Sequence, residues 1–121
     1  MTAYRLAAFA IECGWADVRS LGRNDLTRPV AAQLYRALGS IAANVAEGYS
    51  RSSGRDRARF FEYGLGSARE ARAWYRVARP VLGSATCRRR VETLSRICGL
   101  LVAAIPGERR RDVRPYAERS S

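Results

Sequence analysis

Apolar residues recur along this chain at alternating intervals of three and four, the interval that stacks side chains on one face of an α-helix. The pattern is densest from Pro29 to Arg51, where Val30, Leu34, Leu38, Ile41 and Val45 form one stripe. Beside it Gln33, Ala37, Ser40, Asn44, Glu47 and Arg51 form a second stripe of small and hydrogen-bonding side chains. A solvated face usually carries more charge than that, so the second stripe reads as a polar seam against a neighbouring helix.

The same spacing predicts three further helices. The first runs from about Thr2 to Ser20 with Tyr4, Ala8, Ile11, Trp15 and Val18 as its core face, and Gly14 marks a close helix crossing. Gly22, Asn24 and Asp25 form a turn, and Pro29 suits the first turn of the second helix, where its missing N–H is not needed. Gly48 stops that helix, Ser50 to Gly54 is a loop, and Ser52 or Ser53 caps a third helix with Asp56 in its first turn.

The third helix spans about Gly54 to Arg79. Phe61, Gly64, Ala68, Ala71, Tyr75 and Ala78 line its inner side, widened by Phe60, Ser67 and Trp74, while Arg69, Arg72, Arg76 and Arg79 step along another edge. Pro80 removes a backbone donor and stops or kinks the helix. After a break at Gly83 and Ser84, the fourth helix carries Val91, Leu94, Cys98, Leu101 and Ile105 and ends at Pro106 and Gly107. No segment alternates as a strand does. The expected fold is all-α, an antiparallel up-down four-helix bundle over residues 1–106, followed by a charged tail, 107–121, expected to be flexible.

Charge changes this picture from a generic bundle to one with a partner. The 121 residues make a single domain with a formal net charge of +11, and all 22 basic residues are arginine. An excess of that size cannot be neutralised internally, so the surface attracts polyanions, nucleic acid first among them. Arg51, Arg55, Arg59, Arg69, Arg72, Arg76, Arg79, Arg88, Arg89 and Arg90 are the candidate phosphate contacts, and Arg57, Arg109, Arg110 and Arg111 also gather near helix ends. No zinc finger, RNA-binding sheet or helix-turn-helix pattern supports base readout, so backbone and shape contacts are the expectation.

Catalytic chemistry finds little support. Glu47 and Glu70 could act as an acid and a base, but no histidine, nucleophile or metal-ligand cluster accompanies them. Gln33, Ser40, Asn44, Glu47, Ser67 and Glu70 therefore read as a structural polar network between the second and third helices, with Arg36, Arg51 or Arg69 donating to the glutamates. Cys13, Cys87 and Cys98 are odd in number and form no C-x-x-C pair, so reduced thiols in a cytoplasmic protein with no metal and no cofactor are expected. The apolar run from Leu6 to Ile11 is too short to span a membrane. Trp15, Trp74 and Tyr75 are expected in packed positions, and Tyr49 beside Arg51 is the ring placed to be exposed.

Ser40 to Arg51 (SIAANVAEGYSR), Arg59-Phe60-Phe61 and Gly66-Ser67-Ala68-Arg69-Glu70, with Gln33 and Arg36-Ala37 upstream, resemble the family of 23S rRNA intervening-sequence proteins. The resemblance spans roughly residues 1–105 and is strongest over 33–70. It implies a four-helix bundle, a kinship with accessory proteins of diversity-generating retroelements, and a homo-oligomer, a pentamer if the retroelement proteins are the guide. It supplies no catalytic residues. The chain departs from the family pattern in its short first helix, in the Leu38-Gly39 pair and in its all-arginine basicity. The functional expectation is a non-enzymatic bundle that binds RNA or another nucleic acid through arginine–phosphate contacts. The alternative is a protein-interaction scaffold or accessory subunit for a reverse transcriptase or other nucleoprotein partner.

Overall fold

The structure, a computed structural model, describes residues 2–112. Five helices and no strand make up these residues: α1 (Thr2–Gly22), α2 (Arg28–Ser50), α3 (Gly54–Val77), the short α4 (Arg79–Leu82) and α5 (Ser84–Arg111). No helix among them is long and apolar enough to cross a membrane.

Local chemistry sets most of the boundaries. After Gly22, the Asn24 side chain accepts from the Leu26 N–H at 2.9 Å, and Thr27 Oγ1 donates to the Leu21 carbonyl at 2.8 Å, occupying an orphan acceptor at the end of α1. Ser53 rather than Ser52 caps α3, accepting from the Asp56 N–H at 3.1 Å. α3 stops at Val77, two residues short of the sequence expectation, and Pro80 falls in the first turn of α4.

Leu34, Leu38, Ile41 and Val45 of α2 meet Phe61, Ala68, Ala71 and Tyr75 of α3 and Leu94, Ile97 and Leu101 of α5 in one core. α2 packs against α3, α3 against α5 and α1 against α2, while α1 touches α5 more lightly. Along α2 and α3 the contacts run in opposite order: Arg36 reaches Glu70, Ser40 reaches Ser67, and Gly48 stands against the Phe61 ring.

Two sequence expectations are corrected. The inner face of α1 is Ala3, Ala7, Ala10, Gly14, Asp17 and Leu21, whereas Tyr4 and Trp15 are exposed and Ala8, Ile11 and Val18 only half-buried. Both stripes share the same spacing, and the close crossing selects the smaller one: a Cβ on Gly14 would stand 2.5 Å from a Leu38 methyl. The second correction concerns the end of the last helix, which passes through Pro106 and Gly107 to Arg111. Pro106 is exposed, as is Val102 four residues before it, so the lost hydrogen bond falls on the solvent-facing side of the helix.

That extension is tied into the fold. The Asp112 carboxylate accepts from the backbone N–H groups of Gly54 at 3.0 Å and of Arg55, so the end of α5 caps the start of α3 and the carboxyl is held below its usual pKa by those bonds. Arg57 donates to Glu108 at 2.7 Å in the same joint. The remainder of the expected tail, 113–121, lies outside the described residues. Gly54 lets the two backbones meet, since a Cβ there would overlap the Glu108 carbonyl. Gly54→Ala is therefore expected to cost about 1–3 kcal/mol, as overpacking against backbone does, and to appear as a lower midpoint in urea with an unchanged slope.

Candidate nucleic-acid interface

Arg69, Arg72, Arg76 and Arg79 follow one another at three, four and three residues, which sets them on one edge of α3 running into α4. The chain then reverses. Ala78 ends α3, Gly83 adopts φ 90°, and α5 begins at Ser84, so the last turn of α3 and the first turns of α5 lie side by side. Arg76, Arg79 and Arg88 border the groove this turn creates, with Ser84, Pro80 and Val91 along its walls and a volume of about 710 Å³. No acidic residue lines it. Arg76, Arg79 and Arg88 are exposed, and their side chains make no ion pair or hydrogen bond among the described residues.

The other arginines named from sequence divide into distinct settings. Arg89 is exposed beside the groove and donates to Thr86 at 3.5 Å. Arg69 is exposed farther down α3 with no ion pair, and Arg72 is half-buried, donating to Ser95 at 3.2 Å. Arg51, Arg55 and Arg59 lie at the far end of α3, a helix of 24 residues and so about 36 Å long. There the acids answer the charge: Arg51 pairs with Glu47 at 2.5 Å, Arg59 with Asp56 at 3.3 Å, and Arg109 with Glu62. Arg55 at that end has no ion pair among the described residues.

Arg90 is a correction to the phosphate-contact set, because it points inward. Its Nε donates to Asp17 at 2.7 Å, and the Tyr75 hydroxyl donates to the same carboxylate oxygen at 2.7 Å. Asp17 is the buried charged residue of the described chain. Burial first, and then the bond to Asp17, push the Tyr75 hydroxyl well above its ordinary pKa, so it remains a donor at any physiological pH. Hydrogen bonding to Asp17 likewise raises the Arg90 guanidinium despite its partial burial. This three-helix joint was missed in the sequence. Its signal was there: Asp17 interrupts the stripe of Ala10, Gly14 and Leu21, where an acid stays only if a cation and a donor meet it.

The polar residues of α2 and α3 form a broken seam. Ser40 and Ser67 hydroxyls are 2.8 Å apart, and Asn44 donates to the Ser40 hydroxyl and carbonyl at 2.9 Å each. Toward the arginine groove, Arg36 donates to Gln33 and to Glu70 at 3.2 Å, and Trp74 Nε1 donates to Glu70 at 3.0 Å. Glu47 sits beyond Asn44 in the opposite direction, held by Arg51. The two glutamates considered for acid and base roles thus stand at opposite ends of the seam. Tyr49 is exposed, with its ring 5.0 Å from Phe61, and Arg51 lies 4.6 Å over the Phe60 ring.

The segment from the end of α1 to the middle of α5 holds both the seam and the groove, and residues 22–96 match the family model described as 23S rRNA-intervening sequence protein. The chain belongs to the 23S rRNA-intervening sequence protein family. A solved structure of a protein of unknown function from the S23 ribosomal protein family of Bacteroides thetaiotaomicron VPI-5482 is similar at a TM-score of 0.80 and 17% identity. The likeness covers 86% of this chain and 98% of that one and establishes a shared fold. No curated protein matches the sequence significantly. Within this member of the 23S rRNA-intervening sequence family, α1 lies almost wholly outside the matched segment, whereas Arg76, Arg79 and Arg88 lie inside it.

Proposed function

We propose that this protein is a non-enzymatic, basic four-helix bundle, antiparallel and up-down in arrangement, that binds RNA through arginine–phosphate contacts and assembles as a homo-oligomer. The observation that carries the binding reading is the separation of charge. Acids neutralise arginines along the seam and at the Arg51 end, while Arg76, Arg79 and Arg88 surround a groove with no acid in it.

The groove suits phosphate rather than bases. Guanidinium groups offer fixed forks to phosphate oxygens. The first turn of α5, which carries no acidic residue and no side-chain cap, adds the positive end of a helix dipole. Few rings stand beside the groove to stack on bases, so contacts there fall on the backbone and read shape. A filter-binding series on an RNA oligonucleotide tests the reading. Affinity is expected to fall linearly on logarithmic axes with salt, by about 0.7–0.9 in slope per phosphate neutralised. No binding at low salt, or an affinity indifferent to salt, contradicts it.

A further inference from the structure

α1 shows apolar surface on both of its outer flanks. On the α2 side, Ala8, Ile11, Trp15 and Val18 run at three, four and three, and beside them α2 presents Ala32, Tyr35, Gly39, Ala42 and Ala46 at the same alternation. Neither run contains a charge, in a chain that is 27% charged. Trp15 and Tyr35 are 48% and 46% exposed, with ring centroids 5.2 Å apart, at the head of a groove of about 560 Å³. The fold has room for a side chain at Gly39, where no atom lies within 4 Å of a Cβ, so the bare backbone there leaves space for an outside helix.

On the α5 side, Phe9 is 50% exposed and Leu100 38%. Leu100 belongs to a run from Ile97 to Ile105 with no polar side chain, apolar on every side of the helix although its outer positions face solvent. A helix apolar all round is ordinarily covered on all sides. Exposed aromatics and leucines gathered on two faces mark contact surfaces rather than isolated hydrophobes.

We propose that these two faces are the two halves of one self-association contact: the Trp15–Tyr35 face of one copy packs on the Phe9–Leu100 edge of the next. This rests on the homo-oligomer part of the proposed function and names its surfaces. Charge identifies the occupant as a second copy. Glu12 flanks the Trp15 stripe as an exposed acid with no ion pair among the described residues, and Arg96, one turn before Leu100, is an exposed arginine with none. The Asp17–Arg90 bond sets the height of α1 against α5, and Glu12 and Arg96 stand about equally far from it, five to six residues or roughly 8 Å along their helices. A neighbour placed side by side at the same height therefore brings Glu12 of one copy to Arg96 of the other. The α1–α2 and α1–α5 faces are adjacent, not opposite, so the contact is heterologous: each copy uses one face toward one neighbour and the other face toward the next.

The test uses the full chain, freed of nucleic acid by nuclease, in sedimentation velocity. Wild type is expected to sediment as an oligomer. Trp15→Glu and Leu100→Glu each lose one of the two faces and are expected to be monomers that keep the wild-type helical circular-dichroism spectrum, since neither position is in the core. Mixed in equal amounts, they are expected to form a dimer and nothing larger, because each retains the face the other lacks. A variant that keeps the wild-type mass overturns this assignment of faces while leaving self-association standing. Failure of the mixture to pair overturns the two-faced contact. A wild type that is monomeric at every concentration removes the homo-oligomer reading itself.

Discussion

Asp17→Ala is expected to destabilise the fold by about 3–5 kcal/mol, as much as emptying a fully buried aromatic position. The carboxylate is 5% exposed and receives three donated bonds, from Tyr75 Oη and Arg90 Nε at 2.7 Å and from Arg90 Nη2 at 3.5 Å. Removing it leaves a mostly buried guanidinium without a counter-charge and a buried phenol without an acceptor, and both desolvation penalties then go unmet. Because α1, α3 and α5 contribute one residue each, the loss falls on their joint. For a domain of this size each kcal/mol moves Tm by about 4–8 °C, so a fall of at least about 12 °C is expected in a circular-dichroism melt. Asp17→Asn keeps an acceptor for Tyr75 and should fall between the two. A melt of Asp17→Ala close to wild type would mean that water serves Tyr75 and Arg90 as well as the carboxylate does.

How much of this was legible beforehand varies with the kind of interaction. The helices of Ser84 to Ile105 and of Pro29 to Gly48 were readable because their stripes differ strongly from their other faces and because Pro, Gly and Ser stand at their ends, although the second runs on two residues past Gly48 to Ser50. α1 was legible as a helix but not in its orientation. Tyr4, Ala8, Ile11, Trp15 and Val18 are larger than Ala3, Ala7, Ala10 and Gly14, and size misleads when the crossing is close enough to require small residues. If the Trp15 face is a subunit contact, its apolar stripe answers to another copy, which a count made within one chain cannot register. The run-on of α5 past Pro106 was hidden for a related reason: its support is the joint of Glu108 and Asp112 with Gly54, Arg55 and Arg57, contacts between residues far apart in sequence.

The arginine set shows the same limit. All of these residues look alike in sequence, yet Arg90 turns in toward Asp17, Arg51 and Arg59 meet acids three or four residues before them, and Arg76, Arg79 and Arg88 gather round one groove. The sorting depends on where the chain reverses at Gly83, which no spacing rule supplies.

The second large effect follows from that sorting and bears on binding rather than stability. Replacing Arg76, Arg79 and Arg88 together by alanine removes three exposed guanidinium groups that make no ion pair in the fold, so the melt should barely move. Three phosphate contacts carry a combined salt slope of about 2–2.7. Between 50 and 200 mM salt, wild-type affinity for RNA should therefore fall about 20- to 40-fold further than that of the triple variant. A control triple at the opposite end, Arg51, Arg55 and Arg59 to alanine, removes the same formal charge but includes two groups already paired with Glu47 and Asp56. The slope difference between the two triples is the most direct test of the central claim. The Arg76–Arg79–Arg88 variant is expected to lose about 2–2.7 in slope and the control clearly less. Equal losses from both would contradict it, for they would show that RNA senses only the net charge of the protein and not the groove.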